Sequence, residues 1–123
     1  MQRTILDSRR AAPLRVYAIW FNMYPGDARD RWRDTLLTDA RVHQYWDESR
    51  ATGRLYLQLL PQIWDKRASD TILPQSDALW DAFLLYESGA RWGGQPPVPF
   101  VWGATILQTA AGLEGALKAL RTP

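Results

Sequence analysis

LRVYAIWFNM, residues 14–23, is the stretch that decides the fold. It is rich in β-branched and aromatic residues, and its apolar side chains fall on both faces of an extended chain. That pattern is typical of a strand buried on both sides, as in a sheet covered by helices. Pro25 and Gly26 follow it and mark a turn. The sequence therefore predicts one strand, buried on both sides, near the start of the chain.

The rest of the chain alternates between helical and extended patterns. Residues 27–38 predict a short helix capped by Asp27. Asp39 is expected to cap a second helix through residues 42–50, with Gly53 as a candidate break, and Ala51, Leu55 and Leu59 continue an i,i+4 stripe until Pro61. The other predicted segments are a lead-in over 1–13, a loop over 61–77, strands over 78–86 and 100–106, and a closing amphipathic helix over 111–121. This order predicts an α/β (α+β) fold, a single domain of residues 1–123 with a mixed sheet and flanking helices.

The composition excludes several chemistries. The 123 residues contain no cysteine, which removes disulfides, thiolate metal sites and thiol redox chemistry. A single histidine, His43, excludes a histidine-rich zinc site within one chain. A carboxylate-only magnesium or calcium site stays open by composition, but no spacing favours one, so we expect no metal and no cofactor. The sequence also has neither a membrane-spanning run nor the apolar segment of a signal peptide, so a cytoplasmic protein without membrane contact is expected.

The charge pattern does not favour a nucleic-acid partner. The 15 basic and 13 acidic residues nearly cancel, and the 13 arginines are scattered along the chain. Nucleic-acid binding needs basic residues clustered on one face. Arginine pairs readily with carboxylates and stacks on aromatic rings. With 10 aspartates and 7 tryptophans available, we expect internal Arg–Asp and Arg–Trp contacts instead.

Three polar residues are candidates for a functional site: His43, Asp47 and Asp81. His43 and Asp47 are four residues apart, on one face of the predicted helix, and an aspartate can orient a histidine as a general base. They have no nucleophile-elbow signature beside them, and a helix-surface pair is the plainer alternative. Asp81 interrupts the strand over 78–86 and is expected to be buried beside an arginine. The candidate ligand contacts are Trp20, Trp46, Trp80, Asp81 and Trp102.

Three separated stretches carry a family resemblance: VYAIWFNMYPGD, LLTDARVHQYWDESRATGR and LWDAFLLYESGARW. In this order they resemble a group of poorly characterised bacterial thioredoxin-like proteins over residues 14–106. The resemblance implies a thioredoxin-like fold, in which residues 14–23 are the second core strand and 78–86 with 100–106 form the β-hairpin. Many such relatives carry a cysteine or selenocysteine motif in a preceding strand–helix unit. Only thirteen residues precede strand 14–23 here and none is a cysteine, so we expect that unit and its redox activity to be missing.

The leading hypothesis is a non-redox thioredoxin-like domain that binds a protein partner or a small apolar ligand. An unpaired apolar strand invites pairing with another chain, so we expect a homodimer. Two alternatives stay open. One is an enzyme that uses His43 and Asp47 as an acid–base pair in an aromatic pocket, and the other is an inactive fragment of a thioredoxin-like oxidoreductase.

Overall fold

The computed structural model describes residues 6–7, 13–23, 37–73 and 75–120. These residues form a small mixed α+β fold with two helices and two small sheets. The chain divides into two compact units, Met1–Thr52 and Gly53–Pro123. The elements in chain order are β1 (Val16–Trp20), β2 (Val42–Trp46), α1 (Ala51–Ile63), a short 3₁₀ helix (Trp64–Lys66), β3 (Ala82–Leu85), β4 (Val101–Ala104) and α2 (Ile106–Ala119).

The first unit is built on β1, which lies within the strand predicted over 14–23. β1 pairs with β2 in parallel, with Val16 opposite Val42 and Trp20 opposite Trp46. Parallel neighbours need a crossover of about a dozen residues or more, and the connection over residues 21–41 meets that length. In both strands half-buried and exposed residues alternate strictly. One face of the pair is therefore turned to solvent and the other is partly covered.

β2 shows that the helix predicted over 42–50 is wrong. The stretch VHQYW begins with a β-branched residue and is rich in aromatics, which suits a strand. Asp39 does not cap a helix. Its carboxylate accepts hydrogen bonds from the backbone N–H and the guanidinium of Arg41, and its carbonyl accepts from the N–H of Val42 at 3.0 Å. Asp39 therefore shapes the turn that leads into β2.

Two predicted segments lie largely outside the described residues. The helix over 27–38 is described only at Leu37 and Thr38, which are not helical. Of the lead-in over 1–13, only Leu6, Asp7 and Pro13 are described, and Leu6 is completely buried.

The second unit contains the hairpin, α2 and α1 from Gly53 onward. α1 includes Pro61 in its last turn and a 3₁₀ helix follows, so the predicted loop over 61–77 begins too early. β3 and β4 pair antiparallel and are shorter than the strands predicted over 78–86 and 100–106. α2 begins well before the predicted start at residue 111, because the hydroxyl of Thr105 accepts the N–H of Gln108 at 3.4 Å and caps the first turn.

The core of the second unit surrounds one tryptophan. Leu60, Ile63, Leu79 and Trp102 form a buried cluster, in which Trp102 has no exposed surface. The indole N–H of Trp102 donates to the carbonyl of Ile63 at 2.7 Å, so its one polar group is satisfied. On the other edge of β4, the N–H of Ala68 donates to the carbonyl of Trp102 at 2.8 Å. β4 is therefore held on both edges.

The expected single mixed sheet is corrected to two sheets. Within the described residues, β1 pairs with β2 and β3 pairs with β4. The partner of β1 is the segment that was predicted to be helical, and it pairs with one edge of β1.

Gly103 in β4 gives a test of the packing around the hairpin. A Cβ at this position comes within 2.8 Å of Cε1 of Phe83 and 2.9 Å of Cβ of Thr109, a completely packed site. We expect Gly103→Ala to lower the free energy of unfolding by about 1–3 kcal/mol. Gly115→Ala, on the open side of α2 with nothing within 4 Å, should instead raise it by about 0.5–1 kcal/mol. Urea unfolding of the two variants measures both signs, and equal effects would contradict this packing.

Candidate functional site

One face of the β1–β2 pair is the candidate surface of the first unit. Four side chains form it, and we call it the aromatic face: Tyr17, Ile19, His43 and Tyr45. Tyr17 is 56 % exposed, Tyr45 53 % and Ile19 40 %, and His43 is also exposed. The strand register sets Tyr17 opposite His43 and Ile19 opposite Tyr45, so the four side chains are neighbours on one side of the sheet.

The rings on the aromatic face contact one another. The Tyr17 ring stacks on the His43 ring with centroids 5.5 Å apart and planes at 26°. It also stacks on the Tyr45 ring, at 6.5 Å and 24°. Both separations lie in the usual range of contacting aromatic rings. The rings are thus ordered by their neighbours before any partner arrives.

Exposure of this face is unusual for parallel strands. Parallel sheets are normally covered on both faces, because the crossovers place other elements there. Contiguous exposed apolar surface on a folded protein commonly marks an interaction site. The aromatic face meets that description with three rings and an isoleucine.

The opposite face of the same pair is partly covered and internally bonded. The indole N–H of Trp20 donates to the side-chain oxygen of Gln44 at 3.1 Å, and the Gln44 amide donates to the carbonyl of Leu37 at 3.0 Å. Val16, Ala18 and Trp46 are half-buried on this side. Trp20 and Trp46, two candidate ligand contacts, therefore lie on the covered face and not on the aromatic face.

An Arg–Asp pair fixes the start of β2. The guanidinium of Arg41 donates to both carboxylate oxygens of Asp39, at 2.9 and 2.7 Å, and to the carbonyl of Leu6 at 2.8 Å. The hydrogen bond with the Asp39 carboxylate raises the pKa of Arg41 above its ordinary value. The expected internal arginine contacts are thus confirmed here, and again where Arg67 lies 4.6 Å from the ring centre of Trp64.

His43 and Asp47 do not form the pair expected from helical spacing. On extended backbone, residues four apart are separated by about 13 Å, and Asp47 continues the ladder by donating its N–H to the carbonyl of Trp20 at 2.7 Å. Its carboxylate accepts the N–H of Thr52 at 2.8 Å and the hydroxyl of Ser49 at 3.3 Å. The carboxylate of Asp47 therefore caps the start of α1, while His43 contacts Tyr17.

The electrostatics of Asp47 follow from that capping role. Burial acts to raise the pKa of Asp47, but the hydrogen bonds from Thr52, Ala51 and Ser49 outweigh it and leave the pKa lowered. These bonds stabilise the ionised carboxylate, which also suits the positive end of the α1 dipole. The residue is a structural anion at a helix start rather than a proton acceptor.

The remaining candidates belong to the second unit and have structural positions there. Asp81 is exposed, not buried, and precedes β3 with a positive φ of 50°. Its carboxylate accepts the N–H of Ile106 at 3.3 Å, at the start of α2, so the expected arginine pairing is corrected to a helix contact. Trp80 is half-buried. Trp102 is in the core and has no surface to offer a ligand.

A small cleft lies elsewhere in the second unit. It has a volume of about 70 Å³ and is lined by Tyr56, Leu59, Gln62, Ile63 and residues 95–99. None of the seven candidate residues lines it. Beside it the hydroxyls of Tyr56 and Tyr86 are 3.0 Å apart. Burial raises the pKa of both tyrosines, and the hydrogen bond between them raises that of Tyr86 further, so neither is a base at neutral pH.

Other classes of site find no support in the described part of the chain. Those residues contain no group of three or more histidine, cysteine, aspartate or glutamate side chains that could hold a metal ion. None of the helices they form is long and apolar enough to cross a membrane. No protein-family model matches the chain, and neither a curated protein nor a solved structure is significantly similar to it.

The sequence reasoning missed the aromatic face although its signal is present. Tyr17 with Ile19, and His43 with Tyr45, are each two residues apart, which is the period of one face of a strand. Reading residues 42–50 as a helix broke the second pair and drew attention to His43 with Asp47 instead.

The pH dependence of the unfolding free energy tests the capping role of Asp47. Because the folded-state pKa is lowered, its carboxylate stabilises the fold above the unfolded-state pKa of about 3.9, and this contribution disappears as the pH falls through the lower folded-state value. We expect Asp47→Ala to cost about 1 kcal/mol in urea unfolding at pH 7 and much less at pH 2.

Asp47→Asn is the matched variant, since asparagine also caps helices but does not ionise. It should retain most of the stability at pH 7 and lose the acid dependence. Asp70→Ala, at an exposed aspartate, should change the free energy of unfolding by less than about 0.5 kcal/mol. An Asp47→Ala cost that is the same at both pH values would argue against an ionised cap.

Proposed function

We propose that this chain is a protein-binding domain without thiol chemistry and that the aromatic face is its contact surface. The observation that carries the proposal is a row of exposed, mutually stacked side chains on a parallel strand pair. Tyrosine suits such a surface, because its ring buries a large apolar area while its hydroxyl bonds at the rim. A partner that covers this face supplies the layer that parallel strands normally have.

A protein partner fits this surface better than a small apolar ligand. Pockets that hold small molecules enclose about 300–1,000 Å³, whereas the cleft beside Tyr56 measures about 70 Å³, room for about two water molecules. The aromatic face is not part of that cleft, and it is formed by side chains of two adjacent strands. Interfaces between proteins use such open surfaces, with tyrosine among their enriched residues.

The thioredoxin-like architecture and a cytoplasmic location stay part of this proposal. Element order supports the architecture: a parallel β1–β2 pair with a long connection, then α1, a hairpin and α2. The chain contains no cysteine, so the proposed domain is non-redox. A location where thiols stay reduced is compatible with a cysteine-free chain.

The enzymatic alternative has lost its main argument. The acid–base hypothesis required His43 and Asp47 to share one helical face, but they lie on an extended strand and its continuation, and Asp47 is occupied by Thr52 and Ser49. No specific observation favours the inactive-fragment alternative over a binding role.

Site-specific photo-crosslinking tests the proposed surface. With p-benzoylphenylalanine in place of Tyr17 or Tyr45, irradiation of cells that produce the chain should give a discrete protein adduct, since these positions face the partner. The same probe in place of Ile72, which is 57 % exposed in the second unit, is the matched control and should give none.

A second substitution makes the crosslinking result specific. Tyr45→Ser in the chain that carries the probe at position 17 should reduce the adduct at least several-fold while the circular dichroism spectrum is unchanged. The absence of a discrete adduct from both tyrosine positions, or identical adducts from position 72, would refute the proposed contact surface.

A further inference from the structure

The outer edge of β1 has backbone groups that point away from β2. The N–H of Val16 donates to the carbonyl of Arg41, and the carbonyl of Trp20 accepts the N–H of Asp47. Because successive residues of a strand turn their N–H and C=O groups to opposite sides, these contacts direct Val16, Ala18 and Trp20 towards β2. Tyr17 and Ile19 therefore direct theirs outward. Within the described part of the first unit, no other segment hydrogen-bonds to these outward groups.

The sequence of this edge lacks the features that normally prevent strand pairing. Natural edge strands carry charges, prolines or bulges. Residues 16–23, VYAIWFNM, contain no charged residue, no proline and no glycine. β2 differs, because the N–H of Val42 on its outer side is used by the carbonyl of Asp39. β1 thus has an open edge composed of apolar and aromatic residues.

The size of the sheet also calls for additional strands. A two-stranded sheet is marginal in water, and about three or more strands are needed for independent stability. We infer that β1 pairs antiparallel with β1 of a second copy of this chain, around a two-fold axis at Ala18. The resulting sheet has four strands in the order β2-β1-β1-β2. This inference goes beyond the proposed function, because edge pairing extends the aromatic face and leaves it open to a separate partner.

The register follows from the direction of the free backbone groups. With the axis at Ala18, Tyr17 lies opposite the partner's Ile19, and both residues have outward N–H and C=O groups, as a hydrogen-bonded antiparallel pair requires. An aromatic side chain opposite a β-branched one is a favourable cross-strand pair. Arg15, the one charge in residues 14–23, comes opposite the partner's Phe21 and can lie over its ring. No like charges face each other.

The pairing also joins the aromatic faces of the two copies. In an antiparallel pair, directly opposite residues lie on the same face of the sheet, so Tyr17 and Ile19 of both copies share one side. A five-residue strand is about 17 Å long, and pairing along it buries less than the about 800 Å² per partner of a stable interface. We therefore expect a reversible dimer that dissociates in the micromolar range.

Charge-swap variants of Tyr17 and Ile19 test the edge and its register. Tyr17→Lys with Ile19→Lys puts two lysines opposite each other twice per dimer, and Tyr17→Glu with Ile19→Glu does the same with carboxylates. Both variants should raise the dissociation constant at least tenfold. Tyr17→Lys with Ile19→Glu, and Tyr17→Glu with Ile19→Lys, place opposite charges together and should remain dimeric.

Sedimentation equilibrium of the full chain between about 1 and 500 μM measures the molar mass of each variant. For the wild type we expect twice the 14.1 kDa chain mass at the highest concentration. A wild-type chain that stays monomeric overturns the inference. So does dimerisation that is the same in all four variants, or lost equally in all four while their circular dichroism is unchanged.

A proline variant tests the edge without adding charge. The N–H of Ile19 points outward, so Ile19→Pro should leave the β1–β2 ladder intact and abolish dimerisation. Ala18→Pro removes an N–H that faces β2 and should lower the unfolding midpoint strongly. A dimeric Ile19→Pro chain would exclude edge pairing. A monomeric wild type that still gives crosslinks from Tyr45 to another protein leaves the proposed function standing and removes only this inference.

Discussion

The parallel pairing of β1 with β2 is the constraint on which the first unit depends. Because side chains alternate along a strand, a slip of one residue in either strand moves its entire exposed set to the covered face. The register is held from three directions: the turn at Asp39 and Arg41, the bond from Asp47 to Trp20, and the Trp20–Gln44 hydrogen bond on the covered face. The aromatic face forms because all three contacts stabilise the same strand register.

In the second unit, the burial of a single indole has the same role. Trp102 is completely buried in β4, and its N–H reaches the carbonyl of Ile63 near the end of α1. That carbonyl lies where α1 passes into the 3₁₀ helix. One hydrogen bond therefore satisfies the indole and ties it to the end of α1. The same residue's carbonyl accepts the N–H of Ala68, which ties the segment after α1 to the hairpin.

The strongly apolar elements can be predicted from the sequence. Elements that begin at an aspartate cannot, because the same residue can cap a helix or shape a turn before a strand. A strand within 14–23 and the hairpin are identified correctly, because their apolar runs have no competing helical pattern. The predicted burial of the first strand on both faces is wrong, since Tyr17 and Ile19 are exposed. At residues 39–50 an aspartate followed by apolar residues resembles a capped helix. The carboxylate of Asp39 instead binds Arg41, a contact that sequence spacing does not reveal. Asp81 was misjudged for the same reason, since its helix partner Ile106 is far along the chain.

These polar contacts also explain why the candidate functional residues are aromatic rather than acidic. Asp39, Asp47 and Asp81 all accept hydrogen bonds that start a turn or a helix, and at Asp47 these bonds lower the pKa of the carboxyl group. The aromatic side chains of β1 and β2 are divided between the two faces of the strand pair. Trp20 and Trp46 face the covered side, whereas Tyr17 and Tyr45 remain exposed and ordered by stacking. Preordered rings lose little conformational entropy when a partner covers them. The chain therefore uses its acids to set backbone geometry and leaves its exposed aromatic surface for recognition.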